Sequence, residues 1–386
     1  MNEVLFGIDT FCLQSNDYKN IRFALVTNNA ATDSSGTLSR VALLQAGFNI
    51  VKLFSPEHGL TAKGEDGAYQ DNHIDSVTQL PVTSLYGNHL MPTMADLADI
   101  DAMLFDIPDA GCRFYTYLWT MTYSMEACAK YHKPFIVLDR PNPIGAAIDQ
   151  SEGPMLDEIN CASFIGRWNI PVRHSCTLGE LANFFCATRV NELDLRIIQV
   201  QNWNRQQTAT AAGWYFVPTS PAIKDAETLL LYPGMGLLEG INVNEGRGTD
   251  SPFKIMGAPW IEAIKLHKLL NGEQFSGVEF IPLDFIASWG LYEGEPCKGL
   301  RFSVTDTRYL QPVRLGLALL QCILSLYPDQ CKERLYPTVA NPSGKGHLDK
   351  LTGVYQSFQK IKSGMLHPQA AEEKEWAVIV RPHLLY

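Results

Sequence analysis

This chain has no long apolar run, no excess of positive charge and no paired-cysteine spacing. No segment reaches the roughly 18 apolar residues that a membrane-spanning helix needs, and the apolar stretch at 315–327 reads as a packed helix. Lys and Arg number 31 against 41 Asp and Glu, a net charge of −10. The deficit sits early: residues 1–150 carry 9 basic and 17 acidic side chains, the remainder 22 and 24. An acidic chain argues against binding a phosphate backbone, so no nucleic-acid partner is expected. Nine cysteines without a C-x-x-C pair fit free thiols in a reducing compartment better than a disulfide framework. The start, Met1-Asn2-Glu3-Val4-Leu5-Phe6-Gly7, has no basic segment followed by a long apolar core. The expected location is therefore cytoplasmic, or periplasmic if a leader has been removed. Phosphate cradles are missing too. Neither G-x-x-x-x-G-K nor G-x-G-x-x-G occurs, and there is no G-x-S-x-G elbow. This argues against the usual nucleotide enzymes, and no cofactor is expected.

What is present is a foldable chain. Apolar residues make up 46% and charged residues 19% of 386, which excludes a disordered chain and suggests two or three domains. In the first 150 residues, strand-like runs at 21–27, 49–54, 81–85, 102–106 and 134–138 alternate with helix-like segments at 37–46, 94–98 and 118–131. Such alternation predicts a parallel sheet with helices on both faces. The stretch 61–79 is polar and reads as irregular. A Pro- and Gly-rich segment at 141–154 suggests a boundary near residue 150, giving domains 1–150 and 151–386. The second half reads as mixed α/β. Helices are expected at 178–187, capped by Thr177 with Glu180 at capping-box spacing, at 226–239 and at 313–327. Strands are expected at 195–200 and 300–304.

The polar residues fall where the strands end. The first runs into Thr27-Asn28-Asn29, the second into Ser55-Pro56-Glu57-His58-Gly59, and the third into Ser84-Leu85-Tyr86-Gly87. The fourth runs into Asp106-Ile107-Pro108-Asp109 and then Arg113-Phe114-Tyr115-Thr116-Tyr117. The fifth runs into Asp139-Arg140-Pro141-Asn142-Pro143. In an open parallel sheet these carboxyl ends share one edge, where ligands bind, so five segments are expected to converge on one crevice. Glu57 is the sharpest candidate. Pro56 fixes the turn before it and Gly59 frees the backbone after it, and a carboxyl against apolar surface suits a general acid. The bland alternative is an exposed turn glutamate.

His58 is a candidate acid/base, ligand or structural histidine. Asp106 and Asp139 either line the site or cap neighbouring segments. Arg113, Tyr115 and Tyr117 suit a sugar with a carboxylate, or a packed helix entry. Asn142 stands on a rigid loop that either contacts ligand or crosses between domains. In the second half, Glu245-Gly246-Arg247-Gly248-Thr249 reads as a loop in which two glycines permit close approach to a ligand. Glu245 is its second testable carboxylate, and a solvated Glu–Arg turn is its alternative.

Six ordered strings in the first half carry a resemblance. They are Leu25-Val26-Thr27-Asn28, Phe54-Ser55-Pro56-Glu57-His58-Gly59, Ser84-Leu85-Tyr86-Gly87, Phe105-Asp106-Ile107-Pro108-Asp109, Arg113-Phe114-Tyr115-Thr116-Tyr117 and Asp139-Arg140-Pro141-Asn142-Pro143. Ile170-Pro171-Val172-Arg173-His174, Asn202-Trp203, Tyr232-Pro233-Gly234, Glu245-Gly246-Arg247-Gly248-Thr249 and Gly257-Ala258-Pro259-Trp260 follow. Together they resemble the bacterial exo-β-N-acetylmuramidase family, long described as a domain of unknown function, over nearly the whole chain. The chain departs from that pattern at Leu60-Thr61-Ala62-Lys63-Gly64 and at Ser175-Cys176.

The resemblance implies a Rossmann-like N-terminal domain, a smaller α/β C-terminal domain and a cleft between them. It implies release of N-acetylmuramic acid from the non-reducing end of peptidoglycan fragments, with Glu57 as catalytic acid and Tyr86 supporting it. The second catalytic group would be Glu245, Asp106 or Asp139, or the substrate's own acetamido oxygen. Asn28 is placed among the binding residues, and Arg113, Arg140 and Arg247 are candidates for the lactyl carboxylate. Two other readings stand beside this one. A metal-dependent hydrolase would use Glu57, His58, Asp106 and Asp139 as ligands, and a sugar-binding module would use the same cleft without catalysis.

Overall fold

The computed structural model describes residues 3–18, 20–212, 214 and 216–386. Its centre is a seven-stranded sheet of β1 (Arg22–Thr27), β2 (Asn49–Ser55), β3 (His73–Ile74), β4 (Pro81–Ser84), β5 (Ala102–Asp106), β6 (Phe135–Leu138) and a seventh strand, Leu195–Ile198. The spatial order is β3-β4-β2-β1-β5-β6 and then Leu195–Ile198. All pairs are parallel except the two-residue edge strand β3, which runs antiparallel to β4. The strand order reverses between β1 and β5, where Thr27 lies opposite Asp106. The sheet therefore takes a strand from beyond the expected boundary near residue 150.

The central strands are apolar because helices cover both faces of the sheet. Every residue of β5 and β6 is buried, as a sheet covered on both sides requires. Helix Tyr117–Lys130 has no polar face to spare, and ten of its fourteen residues are buried. Helix Leu178–Thr188 starts at Thr177, whose hydroxyl accepts from the Glu180 amide while Glu180 answers the Thr177 amide. The expected capping box is present.

The second part adds a two-stranded ladder of β7 (Glu152–Met155) and β8 (Pro171–Arg173). Beyond it lies a three-stranded antiparallel sheet of β10 (Ile255–Ala258), β11 (Val278–Ile286) and β12 (Pro296–Val304), with Leu195–Ile198 counted as β9. Helices Ala226–Met235 and Pro312–Leu326 pack tightly. A Cβ on Gly234 would stand 1.8 Å from the Pro312 carbonyl oxygen, and one on Gly316 would stand 2.4 Å from the Gly234 oxygen. That close crossing aims the following 3-10 turn, Gly236–Gly240, back toward the first sheet with Glu239 on it. One large core cluster runs from the β5–β6 face of the sheet through these helices to Trp376, so the two parts share their interior. Among the described residues no helix is long and apolar enough to cross a membrane.

Candidate active site

Glu57 follows the end of β2. His58 and Gly59 both have positive φ, 65° and 68°, so the chain folds back at once. The Gly59 amide donates to the Pro56 carbonyl and the Gly64 amide to the His58 carbonyl. His58 braces the loop with Nδ1 2.8 Å from the Gly64 carbonyl, leaving Nε2 3.8 Å from Asp66. Glu57 is 8% exposed and accepts one backbone hydrogen bond at Oε1, from Gly67 at 3.0 Å. Gly67 (φ 69°) sits against Thr338, where a Cβ would come within 2.6 Å of the methyl carbon. The Val339 amide donates to the Gly67 carbonyl, so the C-terminal segment is stitched to the loop that carries the glutamate.

Glu57, His58, Asp66, Tyr115, Glu239, Arg247, Tyr336 and His347 line a recess of about 80 Å³. A wider cleft of about 690 Å³ shares Asp66, Ala222, Arg247 and Tyr336 with it and adds Lys63, Glu245, Trp289 and Arg334. Arg247 organises the junction. Its Nε and Nη2 donate to Asp66 at 2.8 and 2.5 Å, and its Nη1 reaches Glu245 at 2.8 Å and also pairs with Glu239. Burial opposes its charge, but Glu239 and the neighbouring acids outweigh that and push its pKa up. Asp66 is likewise held below its ordinary value, because Arg247 and then His58 overcome its burial. Glu239 goes the other way: burial, reinforced by Glu245 and Asp66, raises it despite Arg247. The recess thus pairs an acid drawn toward ionisation with one drawn toward protonation. Tyr336 stacks on His347 with ring centroids 4.5 Å apart, and burial holds that histidine down to about 3.

The remaining expectations divide. Tyr86 lines neither cavity, yet burial and then the charge of Glu57 hold its phenol well above the ordinary value. Tyr117 also stands back from the wall. Its hydroxyl donates to the Thr219 carbonyl at 2.5 Å and its ring lies 6.5 Å from that of His58. Tyr115 is on the wall and donates to the Thr219 hydroxyl at 2.7 Å.

The structure does not bring the others to either cavity, and most of their polar atoms are used within the fold, Asn28 Nδ2 and Arg113 Nε being left without a hydrogen-bond partner among the described residues. Arg113 is fully buried and donates to the carbonyls of Pro154, Ile170 and Leu351. Asp106 is held by Arg140 through two hydrogen bonds, and Arg140 also donates to the Thr32 carbonyl. Asp139 accepts from the Gly179 amide, the Thr177 and Tyr386 hydroxyls and the Arg140 amide. Asn142 joins the Cys176 carbonyl to the Ile144 amide. Asn28 is buried and accepts from Ala30. The four proposed metal ligands are therefore not gathered in one place.

Asp66, Glu239, Tyr336 and His347 were not picked out by sequence. Asp66 fell in the stretch read as irregular and Glu239 at the end of an apolar run. The only signal for Glu239 was a carboxylate inside Leu237-Leu238-Glu239-Gly240-Ile241, where burial demands a partner.

A recess of paired acids beside a wide cleft suits hydrolysis of a glycoside, and similarity to known proteins shows the chain to be a glycoside hydrolase. The family is specific: the chain belongs to the exo-β-N-acetylmuramidase NamZ family, whose N-terminal domain matches residues 23–227 and whose C-terminal domain matches 230–386. It is 37% identical over 365 residues to the peptidoglycan β-N-acetylmuramidase NamZ of Bacillus subtilis, covering 94% of this chain and 85% of that one. Two crystal structures of DUF1343 family proteins from Bacteroides fragilis share the fold. Their TM-scores are 0.83 and 0.76 at 28% and 26% identity, with all of this chain and 99% of each covered.

Proposed function

We propose that this protein is an exo-acting glycoside hydrolase that releases N-acetylmuramic acid from the non-reducing end of peptidoglycan fragments, with Glu57 as the general acid. Membership of the NamZ family supports the activity. The observation that carries the residue assignment is the placement of Glu57 on the recess wall, with the Gly67 amide and the Tyr86 hydroxyl on its carboxyl and Arg247 drawing the other acids together beside it. In this reading the Glu57 carboxyl gives its proton to the bridging oxygen as the bond to the sugar's anomeric carbon breaks. Tyr86, kept protonated, keeps a neutral hydroxyl beside that carboxyl. Positive charge then grows on the ring. Asp66 is the ionised carboxylate of the recess that meets it, and the substrate's acetamido oxygen is the other group able to do so.

The test is product analysis on muramyl-β-1,4-N-acetylglucosamine. Wild type should release free N-acetylmuramic acid, and Glu57→Gln should release it at least roughly a hundredfold more slowly while melting at the same temperature. Turnover by the Gln variant at the wild-type rate would end the assignment of Glu57.

A further inference from the structure

The wide cleft differs from the recess in charge. The recess wall holds Glu57, Asp66 and Glu239 against Arg247 alone among permanent charges. The cleft wall holds Lys63, Lys224, Arg247 and Arg334 against Glu65, Asp66 and Glu245. In a chain of net charge −10, a locally cationic cleft beside an acidic recess is a place for an anionic ligand.

Its cations are not equivalent. Arg247 is consumed by three carboxylates. Lys224 is 45% exposed and donates to the Thr249 carbonyl. Arg334 is different. Its side chain is 24% exposed, and its guanidinium rests 5.0 Å from the ring of Tyr336, with Glu245 standing 3.6 Å away. Its Nη1 has no hydrogen-bond partner among the described residues, and neither has the Glu245 oxygen facing it. Glu245 satisfies its other oxygen with Arg247. Those two shielded atoms face each other as an ion pair, so the guanidinium is fixed in place by charge and by ring contact while the rest of it lines the cleft. A planar fork held this way suits a carboxylate in particular.

We propose that Arg334 is the specificity-determining residue that reads the carboxylate of the sugar, so that the cleft takes an amino sugar bearing an acidic side group in preference to the neutral amino sugar. This rests on the muramidase reading for the identity of the sugar, but binding tests it separately from turnover. The experiment titrates N-acetylmuramate and N-acetylglucosamine into the full-length wild type, Arg334→Met, Arg334→Lys and Lys265→Met, an exposed lysine outside both cavities, with melting temperatures measured alongside. The expected result is muramate bound at least tenfold tighter than glucosamine by wild type. That preference should be lost in Arg334→Met, partly restored in Arg334→Lys and kept in Lys265→Met, with glucosamine affinity the same throughout. Muramate preference surviving in Arg334→Met, absent in wild type or lost in Lys265→Met would overturn the proposal. Muramate binding without turnover of the disaccharide would instead overturn the proposed function and leave Arg334 assigned.

Discussion

Glu57 and Asp139 are buried carboxylates just beyond parallel strands of one sheet, β2 and β6, and their surroundings have little in common. Around Asp139 the crevice at the strand-order reversal is filled. The Gly7 amide donates to the Asp139 carbonyl, and a Cβ on Gly7 would stand 2.5 Å from the Asp139 amide. Phe6 covers Arg140 at 5.1 Å, and Tyr386 from the far end of the chain takes one carboxylate oxygen. What remains there is a cavity of about 50 Å³, whereas the recess of about 80 Å³ at Glu57 shares part of its wall with a cleft of about 690 Å³, the size of an ordinary ligand site. Around Glu57 the walls come from separate segments of both halves, and they leave a recess and a cleft. The lesson is that position at a strand end nominates a carboxylate, while the count of protein donors on it decides its use. Asp139 receives four and Glu57 two, from the Gly67 amide and the Tyr86 hydroxyl.

The sharpest way to break this contrast is to remove both acids in turn. Glu57→Gln should lower turnover by roughly 10²–10⁴-fold, the usual contribution of a general acid, with an unchanged melting curve. Asp139→Ala should do the reverse. It strands the Thr177, Gly179 and Tyr386 donors, and should cost about 1–3 kcal/mol of stability while the folded fraction turns over normally. Steady-state assays paired with denaturant melts decide between them.

Arg247→Met comes next. Three carboxylates lose their shared cation, and stability should fall by about 3–5 kcal/mol. Adding Glu239→Gln should recover part of that loss, because one buried charge is removed. Equal stability of single and double variants in chemical denaturation would show that the acids do not depend on Arg247.

A smaller effect should appear with pH. Burial pushes Asp139 up to about 6 and Glu152 up to about 7. Each binds its proton more tightly folded than unfolded, so the stability this contributes is fully present below about pH 4 and is lost as pH rises through 6 to 7. In melts, these two groups should therefore add stability on acidification from pH 7.5 to 5, on the order of 1–3 kcal/mol, while His347, held down to about 3, works against them below its unfolded value. Glu152→Gln should flatten the slope. Chelator should change neither turnover nor melting, since the carboxylates nominated as ligands are engaged by Arg140, by the start of helix Leu178–Thr188 and by Gly67.

Much of the first sheet was legible, because strand and helix periods alternate cleanly from residue 21 to 138. The second half was less so. β11 does alternate at Val278 and Phe280, but Pro282 within it argues against a strand, and its partner β12 starts four residues before the apolar run. Of the site, Glu57, His58, Tyr115, Glu245 and Arg247 were nominated and do line the two cavities. Asp106, Arg113, Asp139, Arg140 and Asn142 were nominated by the same rule and do not. No local pattern reveals that the segment 6–12 and Tyr386 occupy the crevice the topology leaves free. Nor does local sequence mark Asp66, Tyr336 or His347, whose role comes from two distant loops closing on each other.

The most direct measurement is a crystal structure of Glu57→Gln with muramyl-β-1,4-N-acetylglucosamine bound. The account predicts the bridging oxygen within roughly 2.6–3.2 Å of the residue-57 side chain, the muramyl ring between Tyr115 and Arg247, and the carboxylate at Arg334. A disaccharide seated instead beside Asp106, Asp139 and Arg140, with the residue-57 side chain out of contact, would contradict it.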